Sequence, residues 1–317
     1  MTNGLSSAEA SLEVSAEVVP LRHPGRWITA AVIAVFVAMF AHMLFTDPKF
    51  EWGVVRHYLF AATILEGLKL TIELTVVSMV VGILLGTMLA VGKLSPNPIV
   101  KSVCWAYTWC FRSSPVIVQL LFWYYLAAVL PRVGLGIPFG KIFISGSTNT
   151  LITTFIAAIL GLGLNQAAYT SEIVRGGILS VDKGQREAAH ALGMTRSQTM
   201  RRIVLPQAMR VIIPPIGNEV MAMLKMTALV LVIALPDLLT SAQIIYEQNL
   251  LQVPLLIVAS IWYFVVTVVL TPMQYGLERH YSRSANGRDR SAMWRPTWLS
   301  WRNSEEQTPL SWNTPNS

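Results

Sequence analysis

Residues 182–206 read DKGQREAAHALGMTRSQTMRRIVLP and lie within residues 176–210, the one long polar stretch between the apolar runs of the chain. Asp182 and Gln185 stand at the spacing of a capping box, which predicts the start of a short helix. Gly193 suits the left-handed residue at which such a helix ends. The first half of the segment therefore predicts a short helix followed by a bend.

A second short helix is predicted directly after that bend. Thr195 and Gln198 repeat the capping-box spacing, and Pro206 is expected to limit the helix that they begin. Both helices carry apolar faces that fit a groove on another protein, but an amphipathic connector lying on anionic lipid is equally compatible with them. A DNA-reading helix-turn-helix is a weaker alternative, because membrane spans on both sides would impede insertion into a groove.

The composition identifies a membrane protein. Of the 317 residues, 53% are apolar and 13% are charged, whereas soluble domains carry about 25% charged residues. Disordered chains, secreted disulfide scaffolds and cytosolic enzymes are thereby excluded. The formal charge of +7 is spread between apolar runs and near their ends, which indicates membrane orientation and not a nucleic-acid partner.

Six membrane crossings are predicted from apolar runs of sufficient length. The polar N-terminal tail, residues 1–26, lacks the features of a cleavable signal peptide, so the first crossing is expected to remain as an anchor. The predicted crossings are residues 27–45, 63–92, 113–131, 151–171 and 211–235, and a sixth within 248–277.

Prolines predict irregularities in two of these crossings. Ser114 is expected to cap a helix that begins at Pro115, so the residues before it are predicted to form a short helix at the membrane surface. Pro214 and Pro215 are expected to break the fifth crossing early. The Gly- and Pro-rich residues 131–140 are predicted to form a loop.

The basic residues predict that both termini lie in the cytoplasm. With the N-terminus inside, external segments hold four lysines and arginines and internal segments hold seventeen, while three lie within or at the edge of spans. Such an excess of Lys and Arg marks the cytoplasmic side. The C-terminal tail, residues 279–317, is therefore expected to be cytoplasmic.

The sequence contains no recognisable catalytic or metal-binding motif. It has no GxxxxGK[ST], HExxH or GxSxG, and its five histidines are scattered. The chain is therefore expected not to be an enzyme and to bind neither a metal nor a cofactor of its own. If it moves a solute uphill, the energy must come from an ion gradient or from a partner.

Polar side chains within the predicted spans are candidates for a solute path or its gate, because buried polar and ionisable groups are costly in a membrane. The candidates are Asn165, Gln166, Asn218, Glu219 and Lys225. Interhelical hydrogen bonding is the competing role for Asn165 and Gln166. An ion-coupled secondary transporter, with Glu219 or Glu73 as its proton or sodium site, remains the alternative function.

Other groups in the spans are assigned structural roles. Lys69 stands at pairing distance along one helix from Glu66 and Glu73, and Arg112 is expected to snorkel to cytoplasmic headgroups. A stripe of small residues at every fourth position of the second crossing is expected to let another helix approach closely. Its members are Ser78, Gly82, Gly86 and Ala90.

The polar segment also resembles the cytoplasmic signature of the permease subunits of bacterial ABC importers. That signature is Glu-Ala-Ala, three residues, Gly, nine residues, Ile, one residue and Leu-Pro. Glu187-Ala188-Ala189, Gly193, Ile203 and Leu205-Pro206 meet it at every spacing. Over residues 63–275 the chain is similar to the polar amino acid branch of that family, from which it departs at Ser113-Ser114 and at Met226 and Ala228 of Lys225–Leu229.

The resemblance implies an all-α inner-membrane protein in which one extra N-terminal helix precedes a five-helix permease core, residues 63–275. It implies a second permease, identical or different, ATP-hydrolysing nucleotide-binding subunits and a periplasmic or external solute-binding protein. Short coupling helices in the loop at 176–210 would contact the ATPase subunit. The implied contact residues are Gln185, Glu187, Ala188, Ala189 and Gly193, and the implied solute is a polar amino acid or a related compound.

Overall fold

The computed structural model describes residues 24–136 and 142–282, most of which are helical. Most of the two predicted tails, residues 1–26 and 279–317, lies outside these residues. The chain divides between Glu51 and Trp52 into two compact units. The described part of the first unit forms helix α1, Pro24–Thr46, and a short 3-10 helix, Pro48–Phe50. α1 is long and apolar enough to cross a membrane, in agreement with the first predicted crossing.

The second unit is a bundle of helices in its described residues. They are α2 Trp52–Tyr58, α3 Ala62–Lys93, α4 Pro98–Ser113, α5 Val116–Tyr124, α6 Leu126–Val129, α7 Thr148–Leu151, α8 Thr154–Leu179, α9 Lys183–Ala191, α10 Arg196–Thr199, α11 Leu205–Met226, α12 Leu238–Asn249 and α13 Gln252–Ser282. A π-helical segment, Met200–Val204, precedes α11, and a 3-10 helix, Thr227–Ile233, follows it.

The region predicted as a loop at residues 131–140 contains the first strand of a β-hairpin. β1, Arg132–Gly136, pairs antiparallel with β2, Ile142–Ser147, and Arg132 stands opposite Ser147. The expectation of a purely helical chain is therefore wrong at this connection. The second strand begins Ile142-Phe143-Ile144, residue types that favour a pleated strand, whereas the prediction considered only the glycines and prolines.

α3 packs along α8, and this is the most extensive helix contact of the unit. The predicted small-residue stripe of α3 is buried in this interface. A Cβ atom added to Gly82 would lie 2.5 Å from Cγ of Gln166, and one added to Gly86 would lie 2.6 Å from Cβ of Thr170. The role of the stripe in close packing is thus confirmed.

Three apolar clusters hold the helices together. A central cluster joins α3, α5, α8 and α11, a second joins α3 to α12 and α13, and a third joins the end of α8 to the start of α11. Their most buried large members include Leu74, Leu120, Leu162, Met223, Ile64, Leu238, Leu255 and Val204. Through the third cluster, Val204 of the polar segment packs against the end of α8.

Four helices of the described residues are long and apolar enough to span a membrane. They are Gly25–Thr46, Ala62–Lys93, Arg196–Ile233 and Gln252–Tyr281. The third predicted crossing is instead divided among shorter helices. The fourth corresponds to α8, which has 26 residues but carries polar groups along its length.

The residues predicted to form a short surface helix before the third crossing form α4. α4 lies beside the middle of α8, where the Tyr107 hydroxyl donates to the Leu164 carbonyl at 2.9 Å and Asn165 Nδ2 donates to the Phe111 carbonyl at 2.9 Å. α4 therefore packs along α8 inside the bundle of helices.

The junction between α4 and α5 also differs from the prediction. Ser114 is the C-cap residue of α4, and its hydroxyl donates to the Cys110 carbonyl at 3.1 Å. Pro115 is the N-cap of α5 and no side chain caps that helix. Gln119 bridges the break, since its Nε2 donates to the Phe111 carbonyl at 2.9 Å and to Ser114 Oγ at 2.8 Å.

Pro206 does not limit a helix, and Pro214 and Pro215 do not break one. Residues Arg196–Ile233 form one continuous helical stretch, with Pro206 in the first turn of α11. In the π-helical segment before it, the Leu205 amide bonds the Met200 carbonyl five residues back, so the helix accommodates the proline. Packing of α11 against α8 and α13 supports the other two prolines.

Candidate coupling surface and intramembrane polar site

The start of α9 is set by Asp182, as predicted, but not through a capping box. Asp182 Oδ1 accepts a hydrogen bond from the Gly184 amide at 2.7 Å. The Gln185 side chain turns the other way, and its Oε1 accepts from Gln207 Nε2 at 3.1 Å. Gln185 thus links α9 to the first turn of α11.

The bend after α9 confirms the role predicted for Gly193. This residue has φ of +75°, its amide donates to the His190 carbonyl at 2.9 Å, and the Met194 amide donates to the Ala189 carbonyl at 3.0 Å. These two bonds form a Schellman motif, which ends a helix at a left-handed residue.

The predicted capping box of the second helix is confirmed. Gln198 donates its amide to Thr195 Oγ1 at 3.3 Å, and Gln198 Oε1 accepts from the Thr195 amide at 2.9 Å. The helix that begins here continues as α11. The polar segment therefore contains one separate short helix, α9, and the beginning of a long one.

α9 is held from two sides. Besides the contact from Gln185, an Arg186 guanidinium nitrogen donates to the carbonyls of Ile178 at 2.5 Å and Val181 at 3.2 Å, at and beyond the last turn of α8. Ala189 is buried at 3% exposure. α9 is thus connected by hydrogen bonds to both α8 and α11.

The outward side of α9 is a small exposed surface, which we call the coupling surface. It consists of Glu187, Ala188, Ala191 and Leu192, and the Leu192 side chain at its tip is 83% exposed. Of the five predicted contact residues, Glu187 and Ala188 lie on this surface. Gln185 and Gly193, which are also exposed, and the buried Ala189 fix the position and the end of α9.

Two of the predicted solute-path residues meet inside the bundle. Gln166 of α8 is 2% exposed, and its Nε2 donates to Glu219 Oε2 of α11 at 3.1 Å and to Thr170 Oγ1 at 3.3 Å. The pair lies where α8 also packs on α3. The structure thus places an amide and a carboxylate side by side within the helices.

The other three predicted residues lie apart from this pair. Asn165 supports the break between α4 and α5 through its bond to the Phe111 carbonyl. Asn218 Oδ1 accepts from Gln274 Nε2 of α13 at 2.9 Å. Lys225 lines a cavity of about 370 Å³ with residues of α13, including Tyr263.

An ion-pair cluster built around the buried Lys93 joins α3 to α8 and was missed by the sequence reasoning. Lys93 Nζ lies 2.7 Å from Glu172 Oε1, and an Arg175 guanidinium nitrogen lies 2.7 Å from Glu172 Oε2. Lys93 is 5% exposed. The spacing of Glu172 and Arg175 allows a pair within one helix, but no local pattern connects Lys93 to it. In contrast, the predicted Lys69–Glu73 pair forms at 3.7 Å on an exposed face.

Asp237, before α12, is a second buried group that the sequence did not single out. Its Oδ1 accepts from the Thr240 amide at 2.9 Å and from Thr240 Oγ1 at 2.7 Å, and Tyr263 Oη donates to Oδ2 at 3.3 Å. The N-cap spacing of Asp237 and Thr240 was visible in the sequence, but the contact with α13 was not. These bonds fix the turn that follows the 3-10 helix.

Comparison with known proteins identifies the chain. A family model described as the inner membrane component of binding-protein-dependent transport systems matches residues 82–283. The chain belongs to this family. As a member it is a pore-forming permease subunit and not an enzyme, and the ATPase activity lies in a partner.

Individual relatives cover most of the family region. The arginine transport system permease protein ArgU of Corynebacterium glutamicum is 44% identical over 270 residues, which are 85% of this chain and 84% of the relative. The glutamate/aspartate import permease protein GltK of Escherichia coli is 37% identical over 220 residues, 69% of this chain and 93% of the relative.

A solved structure agrees with these sequence relatives. The crystal structure of an amino acid ABC transporter with histidines superposes with a TM-score of 0.59 at 35% identity and covers 70% of this chain and 95% of the other. The permease family and this shared fold favour an ABC permease over the ion-coupled secondary transporter that the buried carboxylates left open.

Proposed function

We propose that this chain carries a polar or charged amino acid, or a related compound, through the inner membrane as the permease of an ATP-driven importer. The observation that carries the proposal is the Gln166–Glu219 pair inside a member of this permease family. The relatives named for arginine and for glutamate and aspartate support the same solute class.

The chemistry of the pair suits an amino acid. Glu219 is half-buried, and no basic side chain of the described residues forms a salt bridge with it. A carboxylate among membrane helices lowers its cost by pairing with a cation. An α-ammonium or a guanidinium of the solute supplies such a cation and a charge-assisted hydrogen bond. Arginine therefore comes first in a panel of test solutes.

We assign the energy supply for transport to partner subunits. A nucleotide-binding subunit hydrolyses ATP and docks on the coupling surface, while this chain binds no cofactor. α9 then moves with that subunit, and its ties to α8 and α11 pass the motion to the helices that hold Gln166 and Glu219. A second permease, identical or different, completes the pore, and an external binding protein delivers the solute.

Transport by the reconstituted complex tests the solute and the energy source together. Vesicles holding the permease, its ATPase subunit and the cognate binding protein should take up labelled amino acids only with ATP, with or without an ion gradient. ATP-dependent uptake of a sugar, a metal or a peptide with no amino acid or opine transported would refute the solute class. Uptake that requires an ion gradient and no ATP would refute the importer.

The role of Glu219 has a matched control in Glu73, a carboxylate on the exposed face of α3. Glu219→Gln should lower the rate of amino acid uptake at least tenfold, because loss of a charge-assisted bond costs about 1.5–3 kcal/mol. Glu73→Gln should leave uptake within about twofold, since exposed pairs are worth about 0–1 kcal/mol. Equal effects of the two variants would remove Glu219 from the solute path.

We also propose six membrane crossings with both termini in the cytoplasm, the five-helix core following α1. The distribution of basic residues and the apolar α1 support this topology. Single cysteines at positions 48, 138 and 245 should react with an impermeant reagent in intact cells. Cysteines at positions 195 and 290 should react only after permeabilisation, and labelling of position 195 from outside would overturn the topology. Positions 138 and 290 lie outside the described residues.

A further inference from the structure

The connection between α8 and α9 consists of residues 180–182 only. Asp182 caps the first turn of α9. At the other end of the connection, the Ser180 amide donates to the Gly176 carbonyl at 2.9 Å, and the Ser180 hydroxyl donates to the Gly177 carbonyl at 2.8 Å. A connection this short, with hydrogen bonds at both ends, leaves α9 little freedom to turn relative to α8.

Arg186 of α9 extends back across this connection. One nitrogen of its guanidinium donates to the Ile178 carbonyl at 2.5 Å and to the Val181 carbonyl at 3.2 Å. Within the part of the chain that the structure describes, Arg186 forms no salt bridge, and its buried Nε atom has no hydrogen-bond partner. The charge of Arg186 is thus directed at the end of α8 and not at a carboxylate.

The position of the two carbonyls makes this contact strong. The C-terminal end of a helix carries a partial negative charge, which favours a nearby cation, and a hydrogen bond from a charged donor is about twice as strong as a neutral one. The side chains of Ile178 and Val181 are both 6% exposed and belong to the third apolar cluster. Arg186 therefore connects α9 to residues that are themselves fixed in the bundle.

The hydrogen bond between α9 and α11 is weaker than this contact. It joins the neutral side-chain amides of Gln185 and Gln207 at 3.1 Å, and Gln185 is exposed. Water competes for such a bond, so its net contribution is small. Gln207 Nε2 also donates to the Ile203 carbonyl of its own helical stretch at 2.9 Å, and this bond does not depend on α9. The two connections of α9 are therefore unequal, and the one to α8 is the stronger.

We propose that Arg186 is a positioning residue for transport, which holds the coupling surface at a fixed angle to α8. Movement of α9 then reaches the bundle mainly through α8 and less through α11. Gln166 lies on the same uninterrupted helix, about 20 Å from its end at about 1.5 Å per residue. This inference rests on the proposed function, to which it adds the route of the motion and the residue that secures it.

The ratio of uptake to ATP hydrolysis in vesicles tests this role. The complex of permease, ATPase subunit and binding protein carries Arg186→Met, which keeps an apolar side chain but removes the charge and the donors. Uptake of a labelled amino acid per ATP hydrolysed should fall at least about fivefold, because loss of a charge-assisted hydrogen bond shifts the equilibrium between positioned and released α9 by about tenfold or more. The ATPase subunit should co-purify as with the wild type, since the coupling surface is unchanged.

Arg186→Lys and Gln207→Ala are the matched controls. Both hydrogen bonds of Arg186 come from one nitrogen, which the three donors of a lysine ammonium can replace. Arg186→Lys should therefore keep the ratio of uptake to hydrolysis within about threefold of the wild type. Gln207→Ala removes the weaker connection and should change the ratio by less than about twofold. If Arg186→Met does not assemble with the ATPase subunit, Arg186→Gln provides the same comparison.

The position of α9 can be measured without any solute. Gly176→Cys of α8 and His190→Cys of α9, at two exposed positions, carry spin labels after the two native cysteines are replaced by serine. A Cβ atom at position 176 meets no other atom within 4 Å. Pulsed electron paramagnetic resonance of the permease with its ATPase subunit should give one narrow distance distribution, which stays the same with ATP and vanadate. Arg186→Met should broaden the distribution, and Gln207→Ala should not.

Four outcomes would overturn the proposal. They are an equal loss of coupling in Arg186→Met and Gln207→Ala, an Arg186→Lys variant no better than Arg186→Met, and a distance distribution that Arg186→Met leaves unchanged. The fourth is a proportional loss of uptake and hydrolysis in Arg186→Met, which would identify a purely structural role. If the wild-type complex takes up no amino acid, the proposed function fails, while the distance measurement still decides whether Arg186 fixes α9.

Discussion

The coupling segment and the Lys93 cluster are both polar regions, but they are built in different ways. In the coupling segment, the hydrogen bonds at Asp182, Gly193 and Thr195 all join atoms within five residues of each other along the chain. In the cluster, Lys93 bonds to Glu172, which lies 79 residues away in sequence. The first region depends on short-range capping and the second on the packing of α3 against α8.

This difference separates the consequences of mutation. A change in the coupling segment should alter the angle or surface of α9 and leave the bundle intact. A change in the cluster should weaken the bundle and leave α9 in place. Transport and stability can therefore be perturbed independently in this chain.

The largest effect is expected in the coupling segment, from Gly193→Val and Glu187→Lys. The valine is strained at φ of +75° and should cost roughly 1 kcal/mol or more locally, while the lysine reverses the charge of the coupling surface. Both variants should insert in the membrane, and both should reduce ATP-driven uptake at least about tenfold. Uptake and ATP hydrolysis in vesicles measure the effect, and hydrolysis should be weakened or uncoupled.

Gly193→Asn is the matched control, because asparagine adopts left-handed backbone conformations more readily than valine does. It should retain most of the uptake. Normal uptake by both Gly193→Val and Glu187→Lys would contradict the coupling role of α9.

An intermediate effect, on stability, is expected from Lys93→Met. Breaking a buried ion pair costs about 3–5 kcal/mol, but Glu172 keeps its contact with Arg175, so a loss of about 2 kcal/mol is expected. The apparent midpoint of thermal unfolding in detergent should fall by about 4 °C or more. Lys69→Met, at a lysine whose side chain is 78% exposed, should shift it by less than about 2 °C. Equal shifts would show that the cluster does not hold α3 to α8.

The smallest effect is expected from Pro206→Ala. The helix already continues through this position, and alanine restores a backbone donor and has the highest helix propensity. The unfolding midpoint should stay the same or rise slightly, and uptake should remain within about twofold. A large loss of uptake would mean that the π-helical segment before Pro206 is required for coupling.

Sequence reasoning was most successful where spacing along the chain carried the information. The left-handed Gly193, the Thr195 capping box and the α3 stripe all follow from such spacing, and all are confirmed. It failed at Ser114, Pro206, Pro214 and Pro215, where proline rules predicted boundaries. Helix packing and a π-helical segment override those local preferences, because neighbouring helices compensate a missing hydrogen bond.

The intramembrane site shows the same limit. Gln166 and Glu219 were both chosen as polar groups in apolar runs, but so were Asn165, Asn218 and Lys225, which the fold places elsewhere. The sequence shows that a polar residue lies in an apolar span, where its burial is energetically costly, but it does not show which residue it contacts. Lys93 and Asp237 were missed because each stands at the end of an apolar run, where a charged residue is ordinarily solvated.

By itself, the sequence determined the membrane class, the apolar runs, the capped coupling segment and the family, since each depends on composition or on residues close along the chain. Only the tertiary structure decided that α4 lies against α8, that Gln166 meets Glu219 and that Lys93 shares Glu172 with Arg175. These contacts join residues far apart in sequence, and their geometry depends on how helices pack, which no local pattern encodes.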